Sequence, residues 1–244
     1  MRILITNDDG IGAPCLPHLA AFAKTLGEVV VVAPKVEQSG KSHAIEIYKK
    51  IEIKQVDLGV GVRAYSMDST PADCVRFAVL GLQERFDLIL SGINRGFNLG
   101  KDIVYSGTVG AIFEGGRLGI PAVALSTDPR DFTSALSALG ELLAFFREKQ
   151  LLSHASLYNV NIPIDHKGIR ITRAGDLYFT DEFEPIGNDI YVQKGHPVPQ
   201  VGEDLTLDTD AVRGGYLSVT PLSYDRTNHE VFDLLTKKTT KKSG

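Results

Sequence analysis

The sequence predicts an α/β protein built on a doubly wound, Rossmann-like and mainly parallel sheet, with an irregular β-rich extension at its C-terminal end. Three observations predict it. Apolar runs rich in β-branched residues recur at Arg2 to Thr6, Glu28 to Ala33, Phe86 to Ser91 and Ile120 to Ser126. These runs are continuous rather than alternating, which implies strands covered on both faces and hence a parallel sheet between two helical layers. Segments of helical spacing separate them, and after about residue 150 the strand and helix alternation fades.

The helices expected between the strands are Pro14 to Leu26, Thr70 to Leu82, Ser106 to Arg117 and Phe132 to Lys149. Gly27 follows the first as a stop, and Thr70 offers a side-chain cap with Pro71 at the first helical position. Between Ser42 and Ser66 the residues alternate, as in Ala44 to Tyr48 and Ile51 to Lys54, which predicts an antiparallel excursion from the main sheet. The expected division is a Rossmann-like catalytic core over residues 1–150, and residues 151–244 holding the last core strands and a C-terminal hairpin or arm. Short strands are expected at Leu157 to Ile162 and Gly168 to Thr172. Tyr178 to Asp208 has a turn-rich, hairpin-like composition with little apolar periodicity, so it is expected to pack on a partner subunit.

Composition narrows the function. The 244 residues carry 43% hydrophobic and 23% charged side chains and a formal net charge of −4. A chain of this balance argues against a nucleic-acid polymer as partner, while leaving a single nucleotide open. Its one basic cluster, Lys237, Lys238, Lys241 and Lys242, reads as a solvated, frayed end. Two cysteines, Cys15 and Cys74, make no disulfide framework and fit a reducing compartment. No apolar run approaches bilayer length and the chain opens on a strand, so a cytoplasmic protein without a membrane partner is expected.

Chemistry concentrates in four loops. Asp8 and Asp9 follow the first strand in Asn7-Asp8-Asp9-Gly10-Ile11-Gly12. Adjacent strand residues point to opposite faces, so the two carboxylates converge only where the backbone turns, and Gly10 and Gly12 are expected to supply that turn. Two close carboxylates repel and call for a cation, and a hard divalent ion such as Mg2+ or Mn2+ takes oxygen ligands of this kind. The plainer reading makes Asp9 a helix cap and leaves Asp8 solvated.

The loop Ser91-Gly92-Ile93-Asn94-Arg95-Gly96-Phe97-Asn98-Leu99-Gly100 lets backbone N–H groups approach a ligand, and Asn94 and Asn98 offer neutral oxygens or amides. As an alternative it is an irregular turn using Asn and Gly for positive φ. Tyr105-Ser106-Gly107-Thr108 opens a helix, where hydroxyls and unpaired N–H groups form an anion site, although a simple cap looks similar. In the loop after the second strand, Ser39 can lend an oxygen to a metal, beside Gly40, while Lys41 and His43 are candidates for phosphate contact or proton donation. His18, His154, His166, His196 and His229 show no zinc-ligand spacing.

Together these runs, Ile5 to Gly10, Ala33-Pro34 to Gln38-Ser39-Gly40, Ser91 to Gly100 and Tyr105 to Val109, closely resemble the survival protein SurE family. The resemblance extends through Gly119 to Ser126, Asn159 to Pro163 and Thr206 to Asp210. It implies a metal-dependent nucleotidase acting on nucleoside 5'-monophosphates, with 3'-monophosphates and short polyphosphate as further substrates. It implies one divalent ion per subunit on Asp8, Asp9, Ser39 and Asn94, with Asp8, Asp9 and Asn94 the catalytic set. Ser106, Gly107, Thr108 and Asn98 would hold the phosphate. A homodimer through the C-terminal arms, or a homotetramer, would be the assembly. Phe97 stands where the family is expected to carry a small residue, which alters the pocket wall.

Two rival readings exist. A haloacid-dehalogenase-type phosphatase also opens with a strand and an acidic motif, but its nucleophilic Asp would fall on Asn7, whose amide cannot form an aspartyl phosphate. A metal- and nucleotide-binding regulator without turnover needs the same ligands as the enzyme.

Overall fold

A computed structural model describes residues 1–199 and 202–240, with side chains described as far as Thr236. The C-terminal lysine cluster lies outside the described side chains. In chain order the core opens with β1 (Arg2–Thr6), α1 (Cys15–Lys24), β2 (Glu28–Pro34), β3 (Ile53–Val56) and β4 (Arg63–Met67). It continues with α2 (Pro71–Arg76), β5 (Leu88–Arg95), α3 (Gly107–Arg117), β6 (Ala122–Thr127), α4 (Thr133–Glu148), α5 (Leu151–His154) and β7 (Leu157–Ile162). Then follow β8 (Ile169–Ile171), β9 (Phe179–Gly187), β10 (Ile190–Pro197), α6 (Asp208–Arg213), β11 (Leu217–Leu222) and α7 (His229–Thr240).

Nine strands form one sheet in the order β3-β4-β2-β1-β5-β6-β7-β11-β8. From β4 to β7 every pairing is parallel, while β3 runs antiparallel to β4 and β11 antiparallel to β7. Side-chain alternation sorts the strands between two cores. Ile3, Ile5, Val29, Val31, Leu88 and Leu90 pack with Leu16 and Leu19 of α1 and Leu139 and Leu142 of α4. Leu4, Val30, Val32 and Ile89 pack on the other face with Cys74 and Val75 of α2 and Val109 and Ile112 of α3. This is the doubly wound arrangement that continuous apolar strands require. Both cysteines are buried and free.

Some local expectations are corrected. Ala44 to Tyr48 forms no strand, because its backbone bonds go to the start of α2: the Thr70 hydroxyl donates to the Ala44 carbonyl at 2.7 Å, and the Glu46 amide to Asp73 Oδ2 at 2.7 Å. The antiparallel element is instead β3, and it joins the main sheet through β4. The second helix continues past Arg76 as a π-helical turn, Phe77–Gly81. Strand β5 reaches Arg95, so Asn94 lies within it rather than beyond it. Strand β11 was not foreseen, although Leu217-Ser218-Val219-Thr220 alternates as a strand should.

Candidate functional site

The sheet grows from β1 in two directions, through β2 on one side and β5 on the other. At such a switch point the loops leaving the carboxyl ends of neighbouring strands part company and leave a crevice. Asp8 and Asp9 leave β1 there, and Asn94 is the last residue but one of β5, its parallel neighbour.

Asn7 is fully buried and shapes the turn. Its Nδ2 donates to the Gly10 carbonyl at 2.9 Å and its Oδ1 accepts from the Gly10 amide at 3.1 Å. Gly10 has φ +95°, and a Cβ there would come within 3.2 Å of the Val36 backbone. Gly12 meets no such constraint, so the turn rests on Gly10 and Asn7 rather than on both glycines. With both amide atoms engaged, Asn7 is structural, which removes the dehalogenase-type reading.

Asp8 is only 4% exposed. It does not dissolve into solvent or cap its own helix; it caps α3, a hundred residues away. The Thr108 amide donates to Asp8 Oδ2 at 3.1 Å and the Thr108 hydroxyl to Oδ1 at 2.6 Å. Burial pushes the Asp8 carboxyl up to about 6, helped by the Asp9 charge and opposed by the Thr108 bonds. Gly107 permits the approach, since a Cβ on it would lie 3.0 Å from Asp8 Cβ. Asp9 accepts from the Arg95 amide at 3.2 Å, and burial raises its carboxyl as well, with that bond opposing.

Asn94 points into the same region through a register shift in the β5–β6 pairing between Ser91 and Asn94. Its Nδ2 donates to the Gly96 carbonyl at 2.9 Å, leaving Oδ1 without a hydrogen bond among the described residues. Ser39 is exposed and donates to Glu37 Oε1 at 2.7 Å. Ser106 caps α3, accepting from the Val109 amide at 3.1 Å. A cavity of about 630 Å³ gathers Asp8, Ser39, Gly40, Asn94, Asn98 and Ser106.

Of the sequence candidates, Asp9, Lys41, His43, Gly107 and Thr108 do not line this cavity. Gly107 and Thr108 stand behind Asp8, as its support. His43 belongs to a different cavity, where its Nε2 lies 2.8 Å from Glu114 Oε2. The reason is the path of the chain: a Cβ on Gly110 would come within 2.1 Å of the Ser42 carbonyl, so the loop crosses α3 at Gly110 and delivers His43 to its far side.

The residues that support Asn98 and its loop lie in runs that carry the family resemblance, but sequence alone assigns them no role. Asn98 Nδ2 donates to the Ser126 hydroxyl at 2.8 Å, and its backbone is held from β7. Asn161 Oδ1 accepts from the Asn98 amide, and the Asn159 and Asn161 amides both donate to the Asn98 carbonyl, each at 2.8 Å. Two asparagines two apart within an apolar strand share a face, and that spacing was the available signal. Asp208, fully buried, accepts from the amides of Gly100 at 3.0 Å, Gly175 at 2.8 Å and Thr209 at 2.7 Å.

The donor set bears on a cation. Among the described residues neither Asp8 nor Asp9 makes an ion pair, and no group of three or more His, Cys, Asp or Glu assembles. The site offers oxygen only, two anionic and two neutral, which suits a hard divalent ion and not zinc or copper. Among the described residues no helix is long and apolar enough to cross a membrane.

Comparison with known proteins identifies the family. Residues 3–181 match the model of the family described as survival protein SurE. The chain is 38% identical over 245 residues to the 5'-nucleotidase SurE of Legionella pneumophila, covering 96% of each. It is 40% identical over 241 residues to the 5'-nucleotidase SurE of Caldanaerobacter subterraneus, covering 93% of each. The crystal structure of the SurE protein from Aquifex aeolicus superposes with a TM-score of 0.80 at 34% identity, covering 98% of this chain and 100% of that one. The chain therefore belongs to the survival protein SurE family.

Proposed function

We propose that this chain is a divalent-metal-dependent phosphomonoesterase that hydrolyses nucleoside 5'-monophosphates to nucleoside and phosphate. The family and the names of its relatives make it a hydrolase of the 5'-nucleotidase class. The single observation that carries the mechanism is the position of Asp8, a buried carboxylate fixed to the N-terminal end of α3 at the edge of the cavity.

Asp8, Asp9, Ser39 and Asn94 would hold one ion, Mg2+ or Mn2+. When bound, the ion supplies Lewis-acid polarisation of the phosphoryl group and a lowered water pKa. The chain's own residues do the rest. Ser106, at the N-terminal end of α3, stands on the cavity wall, where the positive end of the helix dipole favours an incoming phosphate. Asn98, locked by Ser126 and the β7 asparagines, presents its side chain without loss of rotamer freedom on binding. Thr108 holds Asp8 in position rather than binding phosphate, and His43 has no part in this cavity.

The finer substrate range, including 3'-monophosphates and short polyphosphate, and a cytoplasmic location belong to the same reading. So does assembly of the chain into dimers or tetramers through the ribbon that β9 and β10 form by pairing antiparallel with each other, apart from the main sheet. A two-stranded hairpin alone is marginal in water, and Ile186, Ile190 and Val192 on this one are exposed.

The test is phosphate release from 5'-AMP, 5'-GMP and 3'-AMP by chelator-treated protein, with Mn2+ or Mg2+ restored. Release is expected only with metal, and Asp8→Asn is expected to lower it by about a hundredfold or more. Metal-independent release, or an active Asp8→Asn protein, would overturn the mechanism. Binding of AMP with no release from folded protein would favour the regulator.

A further inference from the structure

The cavity that holds Asp8 and Ser106 at one end is walled at the other by groups that none of the chemistry above uses. Phe97 and Tyr105 come from the core loops, and Phe179, Phe183 and Gln193 come from the ribbon. Tyr105 is 62% exposed, Phe179 41% and Phe183 68%. Rings left open to water around one concavity need an explanation that isolated surface residues do not.

Strand geometry explains how they converge. Phe179, Asp181 and Phe183 occupy alternate positions of β9, so their side chains share a face. In the antiparallel register Gln193 stands directly opposite Phe183, which puts its side chain on that face too, and Gly195 stands opposite Asp181 and leaves room. The opposite face satisfies itself. There His196 Nε2 lies 3.1 Å from Glu182 Oε1, and Lys194 pairs with Glu184. The ribbon is also fixed to the rim, because Asp102 Oδ2 accepts from the Tyr178 amide at 2.8 Å and the Phe179 amide at 2.9 Å. Asp102 lies in the 3-10 turn Gly100–Tyr105, which also carries Tyr105.

We propose that the inward face of the β9–β10 ribbon is the nucleobase subsite, with Phe183 stacking on the base and Gln193 reading its edge. Phe179 and Tyr105 complete the aromatic wall. The Gln193 side-chain amide makes no hydrogen bond among the described residues, so its donor and acceptor groups are unspent for a ligand in the cavity that Gln193 lines. Stacking accepts any base, and the amide then discriminates among them. The inference rests on the nucleotidase reading and deepens it, since it makes the preferred substrate a nucleoside monophosphate rather than any phosphate ester.

The experiment compares kcat/KM of the metal-loaded enzyme on 5'-AMP and on ribose 5-phosphate, which keeps the reacting ester and lacks the base. Phe183→Ala is expected to lower the value for 5'-AMP about tenfold, mainly through KM, and to leave ribose 5-phosphate unchanged within about twofold. Phe183→Tyr keeps the ring and is expected to behave as wild type. Gln193→Ala is expected to shift the ratio of 5'-AMP to 5'-GMP by about threefold or more, with ribose 5-phosphate again unaffected. An equal fall on both esters, or an unchanged value for 5'-AMP in Phe183→Ala, overturns the subsite and leaves the nucleotidase reading standing. A wild-type enzyme that hydrolyses neither ester overturns that reading and the subsite with it.

Discussion

Strands β5 and β9 are nearly equal in length, 8 and 9 residues, yet the first six residues of β5 are buried and all nine of β9 are exposed. Strand β5 pairs on both edges, with β1 and β6, and each face is covered by helices. Strand β9 pairs with β10 alone. The one is specified by what it buries inside the subunit. The other is specified by what comes to it, ligand on one face near its root and, in our reading, a second copy further out. The division teaches that exposure in this molecule marks use: the residues that hold the fold and those that recognise the substrate's base lie on different kinds of strand.

The sharpest way to break that comparison is a matched pair of truncations. Ile89→Ala in β5 removes a fully buried side chain and is expected to cost about 3–4 kcal/mol in urea unfolding of the metal-free protein. Ile186→Ser in β9 is expected to change stability by no more than about 0.5 kcal/mol. Comparable losses at the two sites would erase the distinction.

A second prediction tests the polar side of the core. Glu114 of α3 is 2% exposed and meets two guanidinium groups and an imidazole, with Arg117 Nη2 at 2.7 Å, Arg76 Nη1 at 3.2 Å and His43 Nε2 at 2.8 Å. Burial alone would raise its carboxyl, but the bonds from His43 and Arg117 outweigh burial and hold it at about 2. A group lowered in the folded state adds stability above its unfolded value of 4.5 and loses it as pH falls from there towards 2. Glu114→Gln is therefore expected to cost about 2 kcal/mol at pH 7, below the full value for a buried pair because the arginines are partly exposed. At pH 3 the difference should shrink, and denaturant midpoints at the two pH values measure it.

The ribbon as a whole should add little to the stability of the subunit. Replacing residues 181–195 by a short turn is expected to leave the unfolding free energy from urea titration within about 1 kcal/mol of wild type, since that segment buries nothing in the core. Light scattering should show the mass fall to that of a smaller assembly, and an unchanged mass would remove the ribbon from the interface.

The sheet was legible because continuous apolar runs such as Glu28 to Ala33 have few other uses, and the acidic, Asn–Gly and Ser-Gly-Thr loops were legible because they close those strands. What escaped was set by partners distant in sequence. Ala44 to Tyr48 alternates like a strand, yet its hydrogen bonds belong to Thr70 and Asp73. His43 stands four residues from Ser39, and a single close crossing at Gly110 separates them. The aromatic wall was invisible for a related reason: Phe97, Tyr105 and Phe183 are far apart in the chain, and only the pairing register of the ribbon turns Phe183 inward.

Asn98 sits in a loop, yet side chains of β7 bond both its amide and its carbonyl. Freeing that loop means stripping polar side chains from a central strand, so the Asn98 amide should exchange its hydrogen at the pace of the sheet rather than at the pace of a loop. The phosphate end of the cavity is then a fixed floor with the lifetime of the fold. Motion that admits substrate and releases product falls to the opposite wall, where the ribbon is anchored at its root by Asp102 and otherwise stands in solvent.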